Sequence, residues 1–205
     1  SLCYMTSVKY VPVAVASLTF FTFPLVVAPI SHVMKIDKLT QIKILAMIIA
    51  FCGLCLLLGT TYNLEWVGIS MAFAAGLFVA TSFIVSKPLT EDLSPLTMAV
   101  FATGLPCFVY ATSSILSDDI THPQNFPGGV GLVANSICHA IGLTCCYAAI
   151  ARLGPTRTAV MMNVEPLISV LAAYLVLGQV ITVVQSLGII GVVSGIVLMS
   201  YKRRD

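Results

Sequence analysis

Charge is the first thing this sequence is short of. Only 9% of its 205 residues are Asp, Glu, Lys or Arg, against 59% hydrophobic. A soluble domain carries about a quarter charged residues, so this chain has too little polar surface to face water. With mean hydropathy +1.03, its solvent is lipid. Net charge is +2, scattered along the chain, which excludes a nucleic-acid surface and gives no expectation of a nucleic-acid partner. No phosphate loop, no Ser-His-Asp order and no soluble nucleotide domain is present, so neither an enzyme nor an ATP-driven pump is expected. No two His or Cys residues stand at ligand spacing, and no metal site or cofactor is expected. No charged leader precedes an apolar h-region, so no signal peptide is expected.

Cysteine is not scarce. Cys52, Cys55, Cys107, Cys138, Cys145 and Cys146 all fall within apolar runs, however, and are expected as small packing residues. Cys52-Gly-Leu-Cys55 has redox spacing without the βαβ context that gives it meaning.

What is abundant is apolar sequence in long runs. Seven segments are long enough to span a bilayer: 11–34, 42–59, 66–86, 95–117, 129–151, 157–177 and 183–201. Ser1 to Lys9 reads as the end of an earlier span. Loops are short; the longest, Ser117 to Gly128, holds Asp118, Asp119, Pro123 and Pro127. If the spans alternate, one side receives Lys35, Lys38, Lys43, Lys87, Arg152, Arg157, Lys202, Arg203 and Arg204, and the other only Lys9. That bias predicts a cytoplasmic C-terminus, with 202–205 a basic tail. It also explains Arg152 and Arg157 without a substrate anion. Glu65 and Trp66 fall near the outer side, Trp66 as an interfacial anchor.

The sequence repeats itself. Tyr4 to Lys9 aligns with Tyr147 to Arg152 at an offset of 143, with Pro12 on Pro155 and Ala16 on Ala159. One residue later the offset is 142: Pro24-Leu25 falls on Pro166-Leu167, Thr40 on Thr182 and Gly53 on Gly195. The second copy, 66–201, holds five spans, while 1–59 holds the end of a third span, a fourth and a fifth. The expectation is a 5+5 bundle whose first two spans and most of the third precede Ser1. An odd number of spans per copy inverts the second copy, giving an all-α polytopic membrane protein with the inverted-repeat helical architecture of secondary transporters.

Within that frame the stretch Thr158 to Leu177 stands out. Glu165 is a carboxylate where hydrocarbon is expected, and Pro166 removes the N–H that the Met162 carbonyl would accept from. On a continuous helix Thr158, Met161, Met162, Glu165, Ser169 and Ala172 share one face, with Val160, Val164, Leu167, Leu171 and Tyr174 opposite. Glu165 is therefore expected to face the bundle interior, as a substrate or coupling-proton site or as a structural acid. The first copy has Phe23 in its place. Pro24 and Pro166 mark equivalent mid-span interruptions. His139 lies mid-span with Asn135, Ser136 and Thr144 near it, His32 near a span end and His122 in an outer loop. Asn163, His139, Tyr147 and Ser169 are weaker candidates for a substrate lining. Gly191-x-x-x-Gly195, with Ala46, Ala50 and Gly53, gives small faces for close packing between halves or between the protomers of a homodimer.

Several of these stretches resemble the EamA family of the drug/metabolite transporter superfamily. They are Leu18-Thr19-Phe20-Phe21-Thr22-Phe23-Pro24-Leu25, Ala151-Arg152-Leu153-Gly154-Pro155-Thr156-Arg157 and Asn163-Val164-Glu165-Pro166-Leu167. Leu177-Gly178-Gln179-Val180-Ile181-Thr182 and Gln185-Ser186-Leu187-Gly188 stand where the family has its "LGE-x-L-T" turn and "Q-x-x-G". Gln179 departs from the acid of that turn, for which the first copy has Asp37. The resemblance implies a multi-pass permease of the cell membrane that moves small organic metabolites, amino acids or drug-like compounds, by import or efflux. The alternatives are a non-transporting helical scaffold and, further off, an intramembrane enzyme.

Overall fold

In the computed structural model, residues 2–59, 65–117, 126–178 and 180–200 are described. Their regular structure is helical: α1 (Leu2–Ser7), α2 (Val13–Phe20), α3 (Phe23–Val33), α4 (Gln41–Leu58), α5 (Trp66–Leu89), α6 (Pro95–Ser117), α7 (Phe126–Leu153), α8 (Pro155–Met161), α9 (Val164–Leu177) and α10 (Val183–Ser200). The pairs α2–α3 and α8–α9 each form one stretch broken in the middle. With α4, α5, α6, α7 and α10 they make seven stretches long and apolar enough to cross a membrane. The seven expected spans stand, with ends shifted by a few residues: 66–86 runs on to Leu89, and 129–151 widens to Phe126–Leu153. The tail 202–205, Asp118, Asp119, His122, Pro123 and Gln179 lie outside the described residues.

Large apolar side chains cover the outside: Phe101, Leu105 and Phe108 are each about 70% exposed. A contiguous surface of this kind is excluded for a water-soluble monomer and suits lipid contact. The same surface corrects the expectation for the cysteines. Cys146 is buried, but Cys52, Cys107, Cys138 and Cys145 are exposed on their helices.

Local chemistry explains the helix ends. Thr182 and Gln185 form a reciprocal cap on α10: Thr182 N–H donates to Gln185 Oε1 at 2.9 Å, and Gln185 N–H donates to Thr182 Oγ1 at 3.2 Å. Thr40 begins α4 in the same way, its hydroxyl accepting from Lys43 N–H. Pro155 opens α8, where its missing N–H costs nothing.

The chain divides into two compact units, Ser1–Val85 with Leu153–Asp205, and Ser86–Arg152. In the second, Lys87 Nζ donates to the Ala151 carbonyl at 2.8 Å, and Ser94 caps α6 through Thr97 N–H. In the first, α4 lies along α10 in the most extensive helix pairing, and α3 lies along α8. Ala28, Ala46, Met47, Ala50, Val160 and Met199 form the core where these four helices meet.

The α4–α10 seam is a backbone-to-backbone contact. A Cβ on Gly53 would lie 2.5 Å from Val192 N and 2.8 Å from Gly188 O; one on Gly195 would lie 2.7 Å from Ala46 O and from Ala50. The 142-residue register maps 46 onto 188, 50 onto 192 and 53 onto 195, so the two helices meet through equivalent positions. The small-residue face joins two helices of one chain.

Candidate functional site

The site grows out of the two broken spans. In α2–α3 the break falls at Phe21-Thr22, just before Pro24, and in α8–α9 at Met162-Asn163, just before Pro166. A proline within the first turn of the second helix keeps that turn free of a bond it cannot make. The chain closes each gap with tighter turns. Leu25 N–H donates to the Thr22 carbonyl at 2.9 Å, and Thr22 Oγ1 donates to the Thr19 carbonyl at 2.7 Å. Glu165 N–H donates to the Met162 carbonyl at 3.0 Å. The Met162 carbonyl, expected to lose its partner to Pro166, is thus satisfied one residue earlier.

Around the first break the surroundings are apolar. Phe23 is 2% exposed and its ring meets Phe20, Phe21 and Phe83 at centroid distances of 5.5–6.3 Å. The Phe20 carbonyl, whose helical donor Pro24 lacks, sits under Gly76 of α5, where a Cβ would come within 2.9 Å. Tyr4 extends the cluster: its ring meets Phe20, and its hydroxyl bonds Ser17 Oγ at 2.7 Å. Sequence reasoning missed Phe83 and Gly76, because nothing local in α5 says what it covers.

The second break itself carries polar side chains, Asn163 and Glu165. Asn163 is 3% exposed, and its Oδ1 finds no hydrogen-bond partner among the described residues. Glu165 is exposed, and its carboxylate has no hydrogen-bond or ion-pair partner among them. Glu165, expected on the face turned to the bundle interior, thus stands on a face that the described residues leave uncovered. The packed side of the span carries Ala159, Val160, Asn163 and Leu167, whereas Glu165, Ser169 and Ala172 stand on the exposed side. A wheel drawn continuously from Thr158 to Tyr174 already sets Val160 and Leu167 opposite Glu165, Ser169 and Ala172; the packing decides which of the two faces is covered.

Ser169 lies one turn beyond Glu165 and donates its hydroxyl to the Glu165 carbonyl at 3.0 Å. The structure brings these two together on one face and turns Asn163 inward, away from it. His139 and Tyr147 belong to α7 in the second unit. His139 is exposed and Tyr147 is 6% exposed. Ser136 and Thr144, expected near His139 as polar company, donate to their own helix at Leu132 and Ala140.

Seven membrane-length helical stretches, two of them interrupted beside proline and one of these bearing a carboxylate, define a polytopic helical membrane protein. The chain belongs to the EamA-like transporter family, whose model matches residues 66–201. A solved crystal structure of a protein 15% identical superposes with a TM-score of 0.82, over 97% of this chain and 72% of that one, a likeness of fold. Comparison with curated proteins found no match.

Proposed function

We propose that the chain is a secondary transporter of small organic metabolites that works by alternating access, built from two inverted copies, with 1–59 the C-terminal part of the first and 66–201 the second. One observation carries this reading. The register maps α3 onto α9 and α8 onto α2. If both ends of the bundle were in the same state, α2 would pack along α9 as α3 packs along α8. Among the described residues α3 and α8 pack closely, and α2 and α9 have no comparable packing. An inverted repeat closed at one end and open at the other has this inequality, and exchanging the two copies' conformations gives the opposite state. The symmetric α4–α10 seam supplies an element that need not change.

Glu165, on the exposed face of α9 at the interrupted span, is the group assigned to a substrate cation or a coupling proton, with Ser169 beside it. Asn163, His139 and Tyr147 are secondary candidates for the lining. Intramembrane acids are costly and are kept for such roles. The side that carries the C-terminus is cytoplasmic in this reading. Nothing in the arrangement assigns an enzyme chemistry to Glu165. The scaffold alternative drew on the small-residue face, which is occupied within the chain by the α4–α10 seam.

The test is flux into sealed vesicles holding the complete protein, with radiolabelled amino acids and a cationic dye as probes and empty vesicles as reference. Flux above the reference is expected, and Glu165→Gln is expected to lower it at least tenfold. Unchanged flux in the variant would remove Glu165 from the mechanism.

A further inference from the structure

The turn between α3 and α4 carries a device that the other half lacks. α3 ends in a turn that brings Lys35 to φ 59; Lys35 N–H donates to the His32 carbonyl at 3.0 Å and Ile36 N–H to the Ser31 carbonyl at 2.9 Å. Asp37 N–H also donates to the Ser31 carbonyl, at 3.1 Å. Lys43, in the first turn of α4, donates from Nζ to Asp37 Oδ1 and to the Lys38 carbonyl. The two side chains are only 14% and 10% exposed, Asp37 and Lys43 respectively. Asp37 Oδ2 is buried with no hydrogen-bond partner among the described residues. It lies where α8 begins: a Cβ on Gly154, itself at φ +84, would be 3.3 Å from it.

We propose that Asp37 is a release element at the basic end of the spans. Seating α8 on α3 covers Oδ2 without giving it a donor, and parting them returns it to solvent. A buried carboxylate oxygen left unbonded disfavours the state that buries it. Closure of this end is thereby kept weak enough for a bound solute to reverse. The register places Gln179 and Gln185 opposite Asp37 and Lys43, and Gln185 is spent on capping α10. The device therefore biases one end alone, and the two end states differ in energy. This proposal rests on the alternating-access reading above.

The test measures labelling of a Ser31→Cys variant by a membrane-impermeant maleimide, in the complete protein with its native cysteines replaced. Ser31 is fully buried beneath this turn. Replacing the pair by apolar residues, Asp37→Leu with Lys43→Met, removes the unbonded oxygen and is expected to slow labelling at least tenfold. Gly154→Ala intrudes on the seat and is expected to speed it by a similar factor. Opposite shifts are the signature. Faster labelling in both, the mark of general loosening, or no change in either overturns the proposal; gel filtration of each variant checks that it is folded. A Ser169→Cys variant separates this from the wider reading. If Ser31 labelling shifts as expected and Ser169 labelling stays constant, Asp37 loosens its own turn, but alternating access falls and the release role with it; if Ser169 moves and Ser31 does not, alternating access stands and the release role alone falls.

Discussion

At the scale of single residues, position within a helix matters more than residue type. Glu165 and Asn163 are two residues apart, yet one is exposed and the other buried, because residues i and i+2 of a helix point to nearly opposite sides. Phe23, equivalent to Glu165 in the register, is sealed by rings. Exchanging Glu165 for Phe is therefore expected to be tolerated by the fold, the side chain being exposed, and to abolish flux. Monodispersity in detergent together with vesicle uptake reads both halves of that expectation. Lys35 is a second residue with a defined cost, as a non-glycine in the left-handed region. A side chain there is disfavoured by about 1 kcal/mol, so Lys35→Gly is expected to raise thermal stability by up to about that amount. A lower melting temperature would show that the Lys35 side chain contributes something the backbone geometry does not reveal.

At the scale of elements, the α4–α10 seam is the part least able to give. Its close contacts involve backbone atoms, which cannot rotate away as a side chain can. Gly53→Ala or Gly188→Ala is expected to destabilise by about 1–3 kcal/mol, the usual cost of overpacking. Gly104, in α6, has open space around it, and Gly104→Ala is expected to be neutral or to stabilise by about 0.5–1 kcal/mol through helix propensity. Thermal unfolding of the three variants side by side tests the contrast; equal effects would mean that the seam is not tight. The "Q-x-x-G" stretch resolves into two separate jobs. Gln185 caps the helix, and Gly188 admits the Leu57 backbone. Removing the cap with Gln185→Ala is expected to cost about 1 kcal/mol, read in the same melts.

At the scale of the whole molecule, membership of the EamA-like transporter family agrees with what the helices are made of. The seven spans, the two interruptions and the small-residue face were all legible from apolar run length, proline position and glycine spacing. The helix breaks were legible in Pro24 and Pro166, but the face of the broken span that packs was not. A helical wheel separates Val160 and Leu167 from Glu165, Ser169 and Ala172, but only the packing shows which of these faces is covered. The burial of Phe23 under Phe83 and the approach of Gly76 to the Phe20 carbonyl were also out of reach, since they join residues more than fifty positions apart. If the two-copy reading is right, a single probe should see opposite accessibility changes at Ser31 and Ser169 when a transported solute is added. Parallel changes would argue against rocking about the seam.

What the sequence determined by itself was local and compositional: a lipid-facing helical chain, the number of its spans, and where the backbone must break. Hydropathy and proline chemistry act within a few residues, so a linear reading captures them. What only the tertiary structure decided was pairing and facing: that α3 seats on α8 without comparable packing of α2 on α9, that the glycine face joins α4 to α10, and that Asp37 ends beneath Gly154 with one oxygen unbonded among the described residues. In a chain whose helices are apolar nearly all round, hydrophobicity does not distinguish a lipid face from a protein face. Close backbone packing and polar satisfaction make that choice, and both depend on residues far apart in sequence.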